Sequence, residues 1–189
     1  MRGIQWLAAP ILCWGANTSV ADSMFDVFEV AAAEQHMKGE QEAASGFRLA
    51  LEKTLAAEFL AGASYSRFEP DGADHTQHMS LYVGLYAEAE HMHHTQVAAL
   101  FGMRQSELVL ANAEQDDKAG MIAVSLRNRA FEKVELQGDL EYLDWREGES
   151  GFAGLLGASY FVTQSLTADV SYRKQGDSEF YTLGFGWHF

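Results

Sequence analysis

The sequence contains little cysteine, proline and positive charge. Its 189 residues include one cysteine, Cys13, and two prolines. Cys13 lies in an N-terminal segment that we expect to be removed, so no disulfide is predicted for the mature chain. Lysine and arginine number 13 against 27 acidic residues, which gives a formal net charge of −14. This charge excludes nucleic-acid binding through the net field of the chain, because that binding requires basic side chains to neutralise phosphates.

Long apolar runs are also missing beyond residue 21. No stretch there approaches the 18 apolar residues that identify a transmembrane helix, so a helical membrane protein is excluded. The N-terminus differs, since Met1-Arg2 is followed by a mostly apolar run from residue 4 to 16 and by small residues before Ala21. This order predicts a secretory signal peptide. We therefore expect a cleaved leader at 1–21 and a single domain at 22–189.

The most informative pattern that is present lies at the C-terminus. Large apolar side chains occupy every second position there, namely Tyr181, Leu183, Phe185, Trp187 and Phe189. The residues between them are small or polar, and a period of two places alternate side chains on opposite faces of a strand. An apolar face that points outward indicates lipid outside and a wet interior.

This final strand resembles the closing strand of Gram-negative outer-membrane β-barrels. In that class a terminal aromatic residue, with alternating hydrophobic residues before it, is read by the barrel-assembly machinery. The resemblance implies that the chain lies in the cell outer membrane, contacts membrane lipid and lipopolysaccharide, and depends on that machinery for insertion. It covers the mature chain as a pattern, and extends to particular residues only at the C-terminal strand and the signal peptide.

The same alternation recurs along the chain and predicts ten strands. They are expected at 25–35, 47–52, 58–69, 79–86, 95–110, 122–127, 134–142, 151–162, 166–173 and 181–189. The fold class predicted is all-β, an antiparallel up-and-down transmembrane β-barrel. An eight-stranded barrel, with the first hairpin outside the wall, is the alternative. Acidic outer connections are expected at 36–45, 70–77, 111–119, 144–150 and 174–178.

Charged residues occupy the faces that would line the lumen. They are Arg48, Glu52, Arg127, Glu135, Asp139, Glu141, Asp169 and Arg173. A ten-stranded barrel is narrow enough for side chains nearly to fill it. We therefore predict a polar, largely plugged lumen in which arginines pair with carboxylates. The alternative is a narrow cation-preferring pore lined by Glu135, Asp139 and Glu141, since carboxylate rings select cations.

The densest histidine cluster is His91-Met92-His93-His94. Neutral imidazoles are good ligands for transition metals. However, the cluster falls in a predicted periplasmic turn without cysteine, so a solvated polar turn is the preferred interpretation. We predict no metal site and no cofactor.

One pattern bears on catalysis. Aspartyl proteases of the omptin family are ten-stranded outer-membrane barrels with an Asp–Asp and an Asp–His pair at the outer rim. This chain has Asp74-His75 in one predicted outer connection and Asp116-Asp117 in another. Both pairs are adjacent, their order is reversed, and adjacent strand residues face opposite ways. We therefore predict no enzymatic activity, with a rim-active hydrolase as the least favoured function.

Aromatic residues near the strand ends are consistent with an interfacial girdle. They are Tyr142, Trp145, Tyr160, Tyr172 and Trp187. The whole pattern is similar to the small single-chain outer-membrane barrels, the opacity-like and OmpA-like class, whose members mostly act as surface, adhesion or integrity proteins. The expected function is therefore a structural or surface role, as a monomer.

Overall fold

The computed structural model describes residues 23–39, 42–56, 58–69, 75–89, 92, 94–110 and 113–189. The predicted signal peptide lies outside these ranges and remains a prediction. Among the described residues, no helix has both the length and the apolar character needed to cross a membrane.

Ten antiparallel strands form one closed barrel in which each strand pairs with its sequence neighbours. They are β1 (Val27–Met37), β2 (Ala44–Ala56), β3 (Phe59–Glu69), β4 (His75–Glu88), β5 (Thr95–Leu110), β6 (Ala113–Phe131), β7 (Val134–Trp145), β8 (Gly151–Phe161), β9 (Leu166–Gln175) and β10 (Ser178–His188). The barrel closes where β1 pairs with β10, with Val27 opposite His188. The prediction of a ten-stranded barrel is confirmed, and the eight-stranded alternative is wrong.

The two ends of the barrel differ in their connections. We call the end at which β1 begins and β10 ends the terminal mouth, and the opposite end the loop mouth. All five loop-mouth connections are shorter than predicted, and two of them change the interpretation of the residues involved. Asp116 and Asp117 lie in β6, opposite Glu107 and Ser106 of β5, and not in a loop. The polar composition of 111–119 marks where the apolar belt ends, whereas the backbone pairing continues beyond it.

The second of these two connections joins β9 to β10. The predicted loop 174–178 is a two-residue turn, because β9 continues to Gln175 and β10 begins at Ser178. Gly176 in this turn has a φ of +55°, a backbone conformation that glycine adopts without strain. The acidic loop predicted there is therefore replaced by a tight hairpin.

The wall separates an apolar exterior from a polar interior, as alternation requires. On β7 the outward Leu136 and Leu140 are 44% and 58% exposed, whereas the inward Glu135 and Glu141 are buried. The outward apolar residues form a belt on all ten strands, and large side chains in it are exposed on each strand. An apolar belt on the exterior is the arrangement found in transmembrane barrels.

Gly46 of β2 lies where the wall leaves no space for a side chain. A Cβ atom there would overlap the backbone carbonyl of Arg67 on β3, whereas a Cβ at Gly138 would meet only Leu156 Cδ2, at 3.8 Å. We expect Gly46→Ala to lower the free energy of unfolding by about 1–3 kcal/mol through overpacking. Gly138→Ala is the control and should be nearly neutral in urea unfolding in lipid vesicles. Equal effects of the two substitutions would contradict the close approach of β2 and β3.

Candidate functional site in the barrel lumen

The middle of the lumen is crossed by ion pairs, which we call the ion-pair layer. Arg173 of β9 donates to both carboxylate oxygens of Glu141 on β7, each at 2.7 Å. Arg104 of β5 lies 3.1 Å from the same carboxylate and also donates to Ser80 Oγ at 2.9 Å. Because β5 and β9 are four strands apart, Glu141 connects opposite sides of the wall. The side chains of Arg104 and Glu141 are each only 9% exposed.

A second part of this layer is centred on Arg127 of β6. Arg127 forms an ion pair with Glu52 of β2, and Tyr82 of β4 donates a hydrogen bond to the same carboxylate. Glu135 lies 4.0 Å from Arg127 and 3.4 Å from Arg129. Each of these contacts satisfies a group that would be costly to bury alone.

The layer is completed by a pair between neighbouring strands. Arg48 of β2 donates to Glu29 of β1 at 2.6 Å. Arg48, Arg104, Arg127, Arg129 and Arg173 all contact a glutamate.

Two inward carboxylates lie outside these pairs. Asp139 accepts hydrogen bonds from Ser125 Oγ at 2.6 Å and Gln137 Nε2 at 2.9 Å. In the part of the chain that the structure describes, no group bonds to Oδ1 of Asp169 or to Nδ1 of His188, although both atoms are buried. Water is needed at these two atoms and at the other buried atoms of described residues without a partner, which are Gln35 Oε1, Thr54 Oγ1, His78 Nε2, Arg127 Nε and Arg129 Nε.

An apolar layer lies between the ion-pair layer and the loop mouth. The rings of Phe68, His78 and Phe180 pack against one another, with centroid separations of 5.6–5.9 Å. They come from β3, β4 and β10 and meet across the small residues Ala33 and Ala44 of β1 and β2. We call these three rings the loop-mouth cluster.

The other half of the loop mouth is also apolar. Met121 and Leu143 are buried there beside Ala119 and Ala153, and Trp145 packs against them. Trp145 therefore lies on the inward side of β7, and its assignment to the outer girdle is wrong. The cause is parity, because Trp145 shares its face with Glu141 and Leu143 and not with Tyr142.

The terminal mouth is filled by the chain's own N-terminal segment. Residues 23–26, which we call the N-terminal stopper, fold into the mouth and bury Phe25 to 1% exposure. Phe25 packs on Leu60, Leu100 and Ala123 of three different strands. The guanidinium carbon of Arg127 lies 4.7 Å from the centroid of its ring.

Between these end layers lie two cavities. The upper chamber, toward the loop mouth, has a volume of about 90 Å³, and the lower chamber has about 40 Å³. Since one water occupies about 10–15 Å³ on this measure, the upper chamber can hold several waters. The chambers share Arg48, Gln137 and Thr182 as wall residues, so they are adjacent.

The eight charged residues predicted for the lumen lie around these chambers. Arg48, Glu52, Asp139, Glu141 and Arg173 line the upper chamber, and Arg48, Arg127, Glu135 and Asp169 line the lower one. Sequence analysis missed Glu29, Arg104 and Arg129. These residues take part in three of the six ion pairs of the ion-pair layer. Strand parity signals two of them, because Arg104 alternates with the outward Met103, and Glu29 with the outward Phe28 and Val30.

The other candidate sites do not assemble in the described part of the chain. His91 and His93 lie outside the described residues, and no group of three or more metal-ligating side chains occurs within those ranges. Asp74 is also outside them. His75 of β4 pairs with Val109 of β5. Asp116 and Asp117 are adjacent in β6, so their side chains point to the two different faces of that strand. A facing Asp–His and Asp–Asp arrangement is therefore not formed by the described residues.

Comparison with known proteins identifies the fold but no family. No family model matches the chain, and no curated protein matches it. Among solved structures, the outer membrane protease OmpT from Escherichia coli matches with a TM-score of 0.57 at 10% identity, over 86% of this chain and 94% of that one. The NanC porin matches with a TM-score of 0.51 at 11% identity, over 86% of this chain and 100% of that one. At these identities the likeness is one of fold.

The apolar belt, the closed wall and these likenesses together show that the chain has the fold of a small outer-membrane β-barrel.

Proposed function

We propose that the protein is an integral outer-membrane barrel with a closed lumen and a structural or surface role. The observation that carries this proposal is the pairing of every inward arginine of the ion-pair layer with a glutamate. Charges held in this way reach across the lumen and narrow it, as expected for a narrow barrel that side chains largely fill. Apolar layers at both mouths support the same conclusion.

The cation-pore alternative is less well supported. Of its three proposed lining acids, Glu135 and Glu141 each lie against two arginines. Only Asp139 is left without an arginine partner, and a single carboxylate does not make the ring that selects cations. The hydrolase alternative has no assembled pair of catalytic groups in the described residues.

The proposed partners are lipid, lipopolysaccharide and the barrel-assembly machinery. The C-terminal signal consists of Tyr181, Leu183, Phe185, Trp187 and Phe189. The first four project outward from the wall, the last ends the chain, and all are at least 42% exposed. They lie on or directly after β10, the strand that closes the barrel against β1. This position makes the strand available to the machinery before closure and to lipid afterwards. We propose that the folded barrel is monomeric.

Conductance in a planar bilayer tests the closed lumen. Protein whose folding is verified by heat-modified gel mobility should give no steady single-channel conductance, because side chains occupy the cross-section. A steady cation current that falls in Asp139→Asn, but not in the exposed control Asp116→Asn, would instead support the pore. The same recordings at several salt concentrations would separate a pore from transient bilayer leaks.

A further inference from the structure

The upper chamber lies between two apolar clusters. Phe68 and Phe180 of the loop-mouth cluster line its upper end. Tyr82, Leu100 and Ala123 line its lower part, and all three belong to the cluster that packs on Phe25. A path through the barrel along this chamber is therefore interrupted twice, once by each cluster. Charged side chains such as Arg104, Glu141 and Arg173 line part of the chamber, so it holds water more readily than either apolar cluster.

The lower interruption is not part of the wall. The N-terminal stopper precedes β1 and is held by a small set of contacts. Gln96 Oε1 accepts from Met24 N at 2.9 Å, and Arg127 donates to the Met24 carbonyl oxygen at 2.5 Å. Asp26 fixes its end by accepting from Thr54 N at 2.6 Å and Lys53 Nζ at 3.1 Å. Withdrawal of residues 23–25 would break no strand pairing.

We infer that the barrel is a latent pore for water and small monovalent ions, closed by two apolar gates in series. The gates are the N-terminal stopper, through Phe25, and the loop-mouth cluster, through Phe68 and Phe180. Apolar constrictions close a pore by excluding water from a narrow segment. The ion-pair layer narrows the path, but a chamber of about 90 Å³ remains beside it, so the two apolar gates complete the closure. This inference rests on the closed lumen proposed above.

Two gates in series make a specific prediction for conductance. Phe25→Ala alone should leave the protein closed, because the loop-mouth cluster still closes the other end. Phe68→Ala with Phe180→Ala should also leave it closed, because the N-terminal stopper remains. The triple variant should show a steady conductance at least tenfold above either parent. Among the described residues, six carboxylates and four arginines line the two chambers, so the current should show only a weak preference for cations.

The matched control removes three phenylalanines from the lipid face. Phe59, Phe152 and Phe185 are 56–69% exposed on the exterior, and Phe59→Ala, Phe152→Ala and Phe185→Ala together should leave the barrel closed. A folded triple lumen variant that stays closed would overturn the gates while leaving the closed-barrel function intact. A wild-type protein that conducts would instead overturn the closed lumen.

If the triple variant does not fold, a thiol-accessibility measurement tests the lower gate instead. Ser64 lines the upper chamber, and the only native cysteine is Cys13 in the predicted leader. Ser64→Cys should react slowly with a small charged methanethiosulfonate reagent in the folded protein. Adding Phe25→Ala should speed this reaction at least tenfold, while adding Phe185→Ala should not. An unchanged rate with Phe25→Ala would overturn the lower gate.

Discussion

Replacing Glu141 by alanine is expected to lower the free energy of unfolding by about 3–5 kcal/mol. Glu141 receives two hydrogen bonds from Arg173 and lies 3.1 Å from Arg104. Without it, two buried guanidinium groups would face each other near the middle of the lumen with no carboxylate between them. The cost of an uncompensated buried charge then exceeds the cost of the lost contacts.

Urea unfolding in lipid vesicles would measure this loss. Glu147→Ala serves as the control because Glu147 is an exposed residue of the β7–β8 connection, and it should change stability by less than about 0.5 kcal/mol. Adding Arg173→Met to Glu141→Ala should recover part of the loss, since one unpaired charge is removed. A loss below about 1 kcal/mol, with no recovery, would mean that chamber water hydrates both arginines.

Placing arginine on the lipid face should produce the other large effect. Leu136 projects outward from β7 and is 44% exposed to the lipid side. Leu136→Arg should cost roughly 2–4 kcal/mol, the range for a cationic side chain near the midplane of a barrel. The physical cause is the transfer of a charge into hydrocarbon that offers it no hydrogen-bond acceptor.

The adjacent residue supplies the control. Gln137 faces the lumen, lines both chambers and donates to Asp139 at 2.9 Å. An arginine at 137 would find water and a carboxylate, so Gln137→Arg should cost much less than Leu136→Arg in the same urea titration. Similar costs at the two positions would show that β7 does not separate lipid from lumen.

The period of two makes much of the fold predictable from sequence. Outward residues such as Leu136, Val124 and Phe185 must all be apolar because lipid surrounds every strand, so each strand repeats the same signal. The number of strands and the facing of each therefore follow from local pattern. The positions of the strand ends at the loop mouth do not follow from the local pattern. There β6 extends through Asp116 and Asp117, beyond the region in which apolar residues alternate.

The lumen is less predictable because its residues obey no single rule. Phe25, Phe68 and Phe180 are apolar yet face inward. Phe68 and Phe180 pack because β3 and β10 meet across the small residues of β1 and β2, and Phe25 packs because the N-terminal segment folds onto β3, β5 and β6. Those contacts are set by tertiary geometry. The charged lining was predictable where polar and apolar residues alternate cleanly, as around Glu135. It was missed at Arg104, where the neighbouring inward residues Leu100 and Gly102 hide the pattern.

A barrel of this kind should have lipid outside and its own side chains inside. The two tryptophans of residues 22–189, Trp145 and Trp187, test it most directly because they point in opposite directions. In the refolded mature chain, Trp145→Phe leaves Trp187 as the reporter, and Trp187→Phe leaves Trp145. Phospholipids brominated near the headgroup end of their acyl chains should quench Trp187 severalfold more strongly than Trp145. Equal quenching of both tryptophans, or stronger quenching of Trp145, would show that the wall does not separate lipid from the lumen.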